Sequence, residues 1–270
     1  MPQRMKIKAY QNVADSIASL YTIPIPLIDI ANDEDIKVIY DDYGMDTFDG
    51  MTWYEPSQRR FFIHINTERG NNADNTKGRF TLAHELGHYF IDHHRHALET
   101  GKMQPHIHCY NPFGKNEEWI IEREADIFAA NLLMPKDEFL KDVKSEKFSG
   151  QMIQSVASKY NVSFSACAIR YMNMNLVPIM LVYAVDGKIK WQMRSDDFPF
   201  YLLRYGKTKV PEGTVMGDYF YKGDSSCGKQ SEVVFAGDCF HTYREEQNGL
   251  EFYEYCIPYG KHAFSVFWQK

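Results

Sequence analysis

Apolar positions follow a helical period through most of the first 175 residues and turn to alternation after that. Val13, Ile17, Leu20 and Tyr21 share one stripe, which predicts a helix over 9–21. Pro24 and Pro26 break it, and a short helix over 27–31 follows. Residues 37–40, 50–54 and 60–66 read as strands, the last (Arg-Phe-Phe-Ile-His-Ile-Asn) being rich in β-formers. Beyond a polar loop over 70–78, the positions Phe80, Ala83, Leu86, Phe90 and Ile91 predict a helix from Arg79 to about His93. Residues 95–116 lack periodicity and read as a functional loop or a hairpin. Residues 117–134 predict the strongest helix, apolar on most sides from Ile120 onward and therefore buried. Pro135 stops it and opens a short helix over 136–144.

Two further helices, over 151–160 and 164–172, are joined by Asn161-Val-Ser163 and have helix-turn-helix proportions. Strands take over from Pro178. Residues 178–185 and 188–194 form a hairpin around Asp186-Gly187, and 231–235, 239–243, 250–257 and 263–268 add further strands. The order of elements is that of an α+β fold with a β-rich C-terminal part.

Composition narrows the function class. The 270 residues are 44% hydrophobic and 24% charged, ordinary for a globular chain, and the net charge of −6 disfavours broad binding to nucleic acid or anionic membranes. Five cysteines, an odd number with no CxxC pair, are expected as free and mostly buried thiols. The N-terminal residues lack an apolar signal-peptide core, and the longest apolar run, 176–185, is about half a membrane span and holds Pro178. These features predict a cytoplasmic protein without a membrane segment.

The chemistry sits in Thr81-Leu-Ala-His-Glu-Leu-Gly-His88. His84 and His88 are four apart and stack on one helix face, where two imidazoles can bind one Zn²⁺, while Glu85 beside them can act as a general base. Gly87 is costly in mid-helix, so either another backbone or a substrate passes close to it, or it is a packing glycine. Two residues compete for the third ligand position. His94 has the spacing of an extended H-E-x-x-H-x-x-G-x-x-H pattern, but Ile91 stands where that pattern needs glycine to turn. With His93 and His96, His94 reads instead as a cationic cluster at a helix end.

Glu122 is the stronger candidate, because a carboxylate on a buried helix needs a cation or strong hydrogen bonds, and Asp126 one turn later can accept a ligand histidine's other N–H; the competing reading is a salt bridge to Arg123 or a lysine. Glu124 points to another face. Tyr110, His106, His108 and His241 are candidates to steady an oxyanion. The helix over 164–172 carries Arg170 as its only basic side chain, which argues for a packing module rather than a DNA reader.

Arg79-Phe-Thr-Leu-Ala-His-Glu-Leu-Gly-His88 and Glu122-Arg-Glu-Ala-Asp-Ile-Phe-Ala-Ala-Asn-Leu-Leu-Met-Pro135 together resemble the ImmA/IrrE metallopeptidases. The resemblance extends over about residues 8–175 and includes Ser155-Val-Ala-Ser-Lys-Tyr-Asn-Val-Ser-Phe-Ser-Ala166. It implies His84, His88 and Glu122 as zinc ligands and Glu85 as catalytic base, with Asp126 standing behind the ligands where many members have Asn. It further implies a zincin-like peptidase domain over 1–148 and a helix-turn-helix-like module over 149–176, and the strand pattern beyond them reads as a β-rich domain of unstated role over 177–270. The implied partner is a protein substrate, a helix-turn-helix repressor whose cleavage releases its genes. The alternative is a metal-stabilised regulatory or protein-binding module without proteolysis.

Overall fold

The computed structural model describes residues 3–103, 117–201, 203–204, 208–224 and 226–270. The chain divides into two compact units, Met1–Lys141 with Ser158–Ser163, and Asp142–Ala157 with Phe164–Lys270. Helices and two sheets give a mixed α+β protein. Among the described residues no helix is long and apolar enough to cross a membrane.

In the first unit, helices α1 (Gln3–Ala18) and α2 (Leu27–Asp33) precede strands β1 (Lys37–Asp41), β2 (Gly50–Glu55) and β3 (Arg60–Asn66). The sheet order is β1-β3-β2, with β1 parallel and β2 antiparallel to β3. Helix α3 (Thr76–Phe90) packs on β2 and β3 and, on another side, along α5 (Glu117–Leu133), which also receives α1. The expected stripe of α1 is shifted. Val13 and Leu20 are 40% and 78% exposed, while Ala14 and Ala18 are the buried positions. Small side chains let α1 approach α5 closely, and alanine carries too weak a hydropathy signal to mark that face.

Helix α3 starts three residues before the predicted Arg79, because the Asn75 side chain caps it by accepting the Gly78 N–H at 2.7 Å. It stops at Phe90 rather than near His93. Ile91 takes an extended conformation (φ −82°, ψ 108°), and a separate helix α4 (Asp92–Glu99) begins there. The helix does break at Ile91, in a region of backbone space that suits a β-branched residue and needs no glycine. The predicted loop therefore gives up residues 95–99 to α4. Helix α6 (Lys136–Val143) follows α5 after Pro135, as predicted.

Helices α7 (Gly150–Tyr160) and α8 (Phe164–Met172) flank Asn161, whose φ of 51° makes the turn. Arg170 on α8 is buried. The second unit is built on an antiparallel sheet, ordered β5-β4-β8-β7-β6, of β4 (Ile179–Val185), β5 (Lys188–Arg194), β6 (Glu232–Phe235), β7 (Glu251–Tyr259) and β8 (His262–Gln269). Asp186 (φ 50°) and Gly187 (φ 70°) form the expected two-residue turn between β4 and β5.

The predicted strand over 239–243 is absent. Ala236–Cys239 is a helical turn, and Phe240 makes only a single bridge to Leu203. The apolar signal there comes from one buried ring, Phe240, which packs with Phe198, Phe200, Phe252 and Phe267. A helical segment starting at Val215 escaped prediction; Thr214 caps it locally, accepting the Gly217 N–H at 2.9 Å, and a distant carboxylate takes two more of its N–H groups. The buried Glu254 carboxylate accepts the Val215 and Met216 N–H groups at 2.7 and 3.1 Å and the Ser265 hydroxyl at 2.6 Å. Cys167, Cys227, Cys239 and Cys256 are buried free thiols, as expected; Cys109 lies outside the described residues.

Candidate metal centre

Every residue of the centre belongs to the first unit. The α-helical repeat stacks His84 above His88 on the face of α3 that meets α5, and both are buried. The helices come close because Gly87 has no side chain: a Cβ there would lie 3.2 Å from the Ala125 Cα and 3.3 Å from its carbonyl oxygen. Of the two explanations for a mid-helix glycine, close passage of another backbone is the one observed. That approach carries Glu122 of α5 up to the histidine pair.

Three donor side chains converge. His84 Nε2 lies 3.2 Å from His88 Nε2 and 3.2 Å from Glu122 Oε2, and His88 Nε2 lies 3.6 Å from Glu122 Oε1. Ligands bound tetrahedrally at 2.0–2.1 Å from one ion stand about 3.3 Å apart, so this spacing fits a divalent metal. The other ring nitrogen of His84, Nδ1, donates to Asp126 Oδ1 at 2.9 Å, which turns Nε2 toward the cluster.

The electrostatics agree. Burial pushes His84 toward its neutral form, but the hydrogen bonds with Asp126 and Glu122 and the nearby Glu85 charge outweigh burial and hold its pKa well above the usual histidine range. The cluster thus favours positive charge at its centre, which a proton or a metal ion can supply.

Glu85 is 2% exposed, and its Oε2 accepts the Thr52 hydroxyl at 2.7 Å. The same hydroxyl lies 2.9 Å from the Glu85 carbonyl oxygen. Thr52 and Gly50 share the buried face of β2, and a Cβ on Gly50 would fall 2.6 Å from Glu85 Oε1. Thr52 and Gly50 went unnoticed in the sequence. A buried threonine at alternation spacing in a strand would have been the sole signal. Asp49, just before Gly50, anchors this edge through Arg69 (3.1 Å), Asn71 (2.8 Å) and Lys77 (2.7 Å).

His94 does not join His84 and His88. Its Nε2 lies 3.0 Å from Glu124 Oε2, and His93 Nε2 lies 2.8 Å from the same oxygen. The cationic helix-end reading is also corrected: His94 sits in the first turn of α4, and burial, reinforced by the neighbouring His93, lowers its pKa to about 4 and keeps it neutral. Glu124 faces away from Glu122, as its position two residues on requires. Of the candidate oxyanion partners, His106, His108 and Tyr110 lie outside the described residues, and His241 belongs to the second unit.

Comparison with known proteins covers the region around the site. A stretch 27% identical over 120 residues aligns with the radiation response metalloprotease IrrE of Deinococcus radiodurans, covering 44% of this chain and 34% of that protein. The match thus spans about a third of the relative's length. In fold, the chain is similar to a Mycobacterium tuberculosis transcriptional regulator at 13% identity, with a TM-score of 0.62 over 97% of this chain and 76% of that one. Residues 31–172, more than half of the chain and all of the donor set, match the IrrE N-terminal-like domain of a peptidase family. With both paired motifs inside that match, the chain belongs to the family of the IrrE N-terminal-like domain.

Proposed function

We propose that the protein is a zinc-dependent endopeptidase that hydrolyses a peptide bond in a specific cytoplasmic protein, a helix-turn-helix transcriptional repressor, and so derepresses genes. The reading is carried by one observation: a buried carboxylate, Glu85, is clamped by Thr52 next to a His84–His88–Glu122 donor set. A purely structural metal site has no use for a base held in that way, which disfavours the metal-stabilised binding module. The relative's name as a metalloprotease and the family match support the same class of chemistry. The buried Arg170 and the net charge of −6 favour a protein partner over DNA. On this reading residues 1–148 form a zincin-like peptidase domain, 149–176 a helix-turn-helix-like module and 177–270 a β-rich domain.

His84, His88 and Glu122 would hold the ion, and Asp126 would orient His84 from behind. A bound Zn²⁺ supplies Lewis acidity, lowering the pKa of water and polarising the scissile carbonyl. Glu85 accepts a proton from the attacking water as its oxygen bonds to the carbonyl carbon. Glu85 then delivers that proton to the amide nitrogen as the C–N bond breaks. The short Thr52 bond keeps the carboxylate aimed during both transfers.

The test is co-expression with candidate repressors and a search for one specific cut, alongside the metal content of the purified chain. Wild-type protein is expected to hold zinc and to lose cleavage with a chelator. Glu85→Gln is expected to keep the metal and lose about 10²–10⁴-fold in rate. Cleavage that survives both the chelator and Glu85→Gln overturns the reading.

A further inference from the structure

Helix α5 presents a second carboxylate to a second pair of histidines. Glu124 is 7% exposed, and its Oε2 meets His93 Nε2 at 2.8 Å and His94 Nε2 at 3.0 Å. The two imidazole nitrogens and the carboxylate oxygen all lie within 4.8 Å of one another. None of the three residues is shared with the His84–His88–Glu122 set, although the His88 and His94 rings are only 5.1 Å apart between centroids. The proposed peptidase mechanism uses none of them.

We propose that His93, His94 and Glu124 form a second binding site for a divalent transition-metal ion. Two imidazole nitrogens and one carboxylate oxygen match the borderline metals (Zn²⁺, Co²⁺, Ni²⁺, Cu²⁺) and not the oxygen-seeking Mg²⁺ or Ca²⁺. The 2.8 and 3.0 Å contacts are hydrogen bonds that lengthen by a few tenths of an ångström to reach the roughly 3.3 Å spacing of a tetrahedral shell, while the two imidazole nitrogens, within 4.8 Å of each other, reach it by a shift of the His93 ring. His93, exposed in the first turn of α4, has the freedom to make that shift.

The surroundings are those of a ligand set. Tyr10 of α1 donates to the other oxygen of Glu124, Oε1, at 3.1 Å, and so fixes the carboxylate from behind as Asp126 fixes His84. His94 is 1% exposed and its Nδ1 has no hydrogen-bond partner among the described residues, so its Nε2 is the nitrogen that makes polar contact. The His93 side chain is 53% exposed, which leaves one side of the cluster open to water as further ligand. The exposed His93 ligand makes this the weaker of the two sites, filling after the first.

The test is the stoichiometry of Zn²⁺ binding to the full chain, stripped with a chelator and titrated calorimetrically, with Co²⁺ absorption as a second readout. Wild type is expected to take up two equivalents in two steps. His93→Ala, at an exposed position, and Glu124→Gln are each expected to weaken the second step at least tenfold and leave the first. His84→Ala is expected to lose the first step and keep the second. Saturation at one equivalent that His93→Ala leaves unchanged overturns the proposal, as does a second equivalent insensitive to both His93→Ala and Glu124→Gln. Because metal uptake rather than cleavage is read, loss of the peptidase reading and loss of this one are separate results.

Discussion

Thr52 and Glu85 show how one hydroxyl sets the state of a buried carboxylate. With 2% exposure, Glu85 has little water to stabilise it, so the 2.7 Å bond from Thr52 both offsets its desolvation and fixes its rotamer. Thr52→Val keeps the shape of the side chain and removes the donor. The expected outcome is unchanged zinc content with a fall of about 10–100-fold in kcat, the usual scale for losing a group that orients a reacting one. Equal kcat in the two proteins, with cleavage assayed on the same substrate, would remove Thr52 from the mechanism.

Helix packing is what turns a pattern on α3 into a three-donor site. Gly87 lets α5 approach until a Cβ would stand 3.2 Å from the Ala125 Cα, and Glu122 comes with it. Gly87→Leu is expected to separate the helices, cost about 1–3 kcal/mol in a urea titration and weaken zinc binding, although position 87 carries no ligand. On the other side of α3, Asp49 pins the start of β2 where Gly50 touches Glu85. Burial raises the Asp49 pKa, but Arg69, Asn71 and Lys77 outweigh it and bring the value from 3.8 to about 2. A carboxylate whose folded pKa is depressed contributes stability that is complete above its unfolded pKa and is lost as pH falls through the folded one. The contribution, about 1–2 kcal/mol after solvent screening of the partly exposed Lys77, should therefore disappear between pH 4 and pH 2. Comparing wild type with Asp49→Asn by thermal melting across that range checks it: the two should differ at pH 6 and converge near pH 2.

The two units should respond differently to metal. Among the described residues both groups of candidate ligands lie in the first unit. An ion that binds only the folded state stabilises by about 2.7 kcal/mol at 100 times its dissociation constant. Chelation is therefore expected to speed hydrogen exchange in α3 and α5 and to leave β4, β7 and β8 unchanged, read peptide by peptide. Equal changes in both units would contradict this. Most elements were legible beforehand: β3, β5 and α8 have the predicted bounds, and α5 and α6 differ from them by one residue at the C-terminal end. Their signals are local, lying in periodicity, proline and turn residues. Some errors were local, as where Asn75 started α3 early and Ile91 ended it before α4, and others arose where a distant group intervened. α1 turned its alanines inward against α5, Glu254 accepted the Val215 and Met216 N–H groups, and the Phe240 ring was buried by an aromatic cluster without a strand.

The spacing of His84, Glu85 and His88 was readable from the chain because a helix converts a four-residue interval into a shared face, whatever surrounds it. The carboxylate chemistry of Glu122 and Asp126 was readable for the same reason, since a charged pair on an apolar helix demands a partner. Which carboxylate meets which histidines was a matter of packing. Glu122 and Glu124 are two residues apart, and only the approach of α3 and α4 to α5 sends one to His84 and His88 and the other to His93 and His94. Thr52, Gly50 and Tyr10 joined the two clusters from strands and helices tens of residues away, at distances that no local pattern encodes.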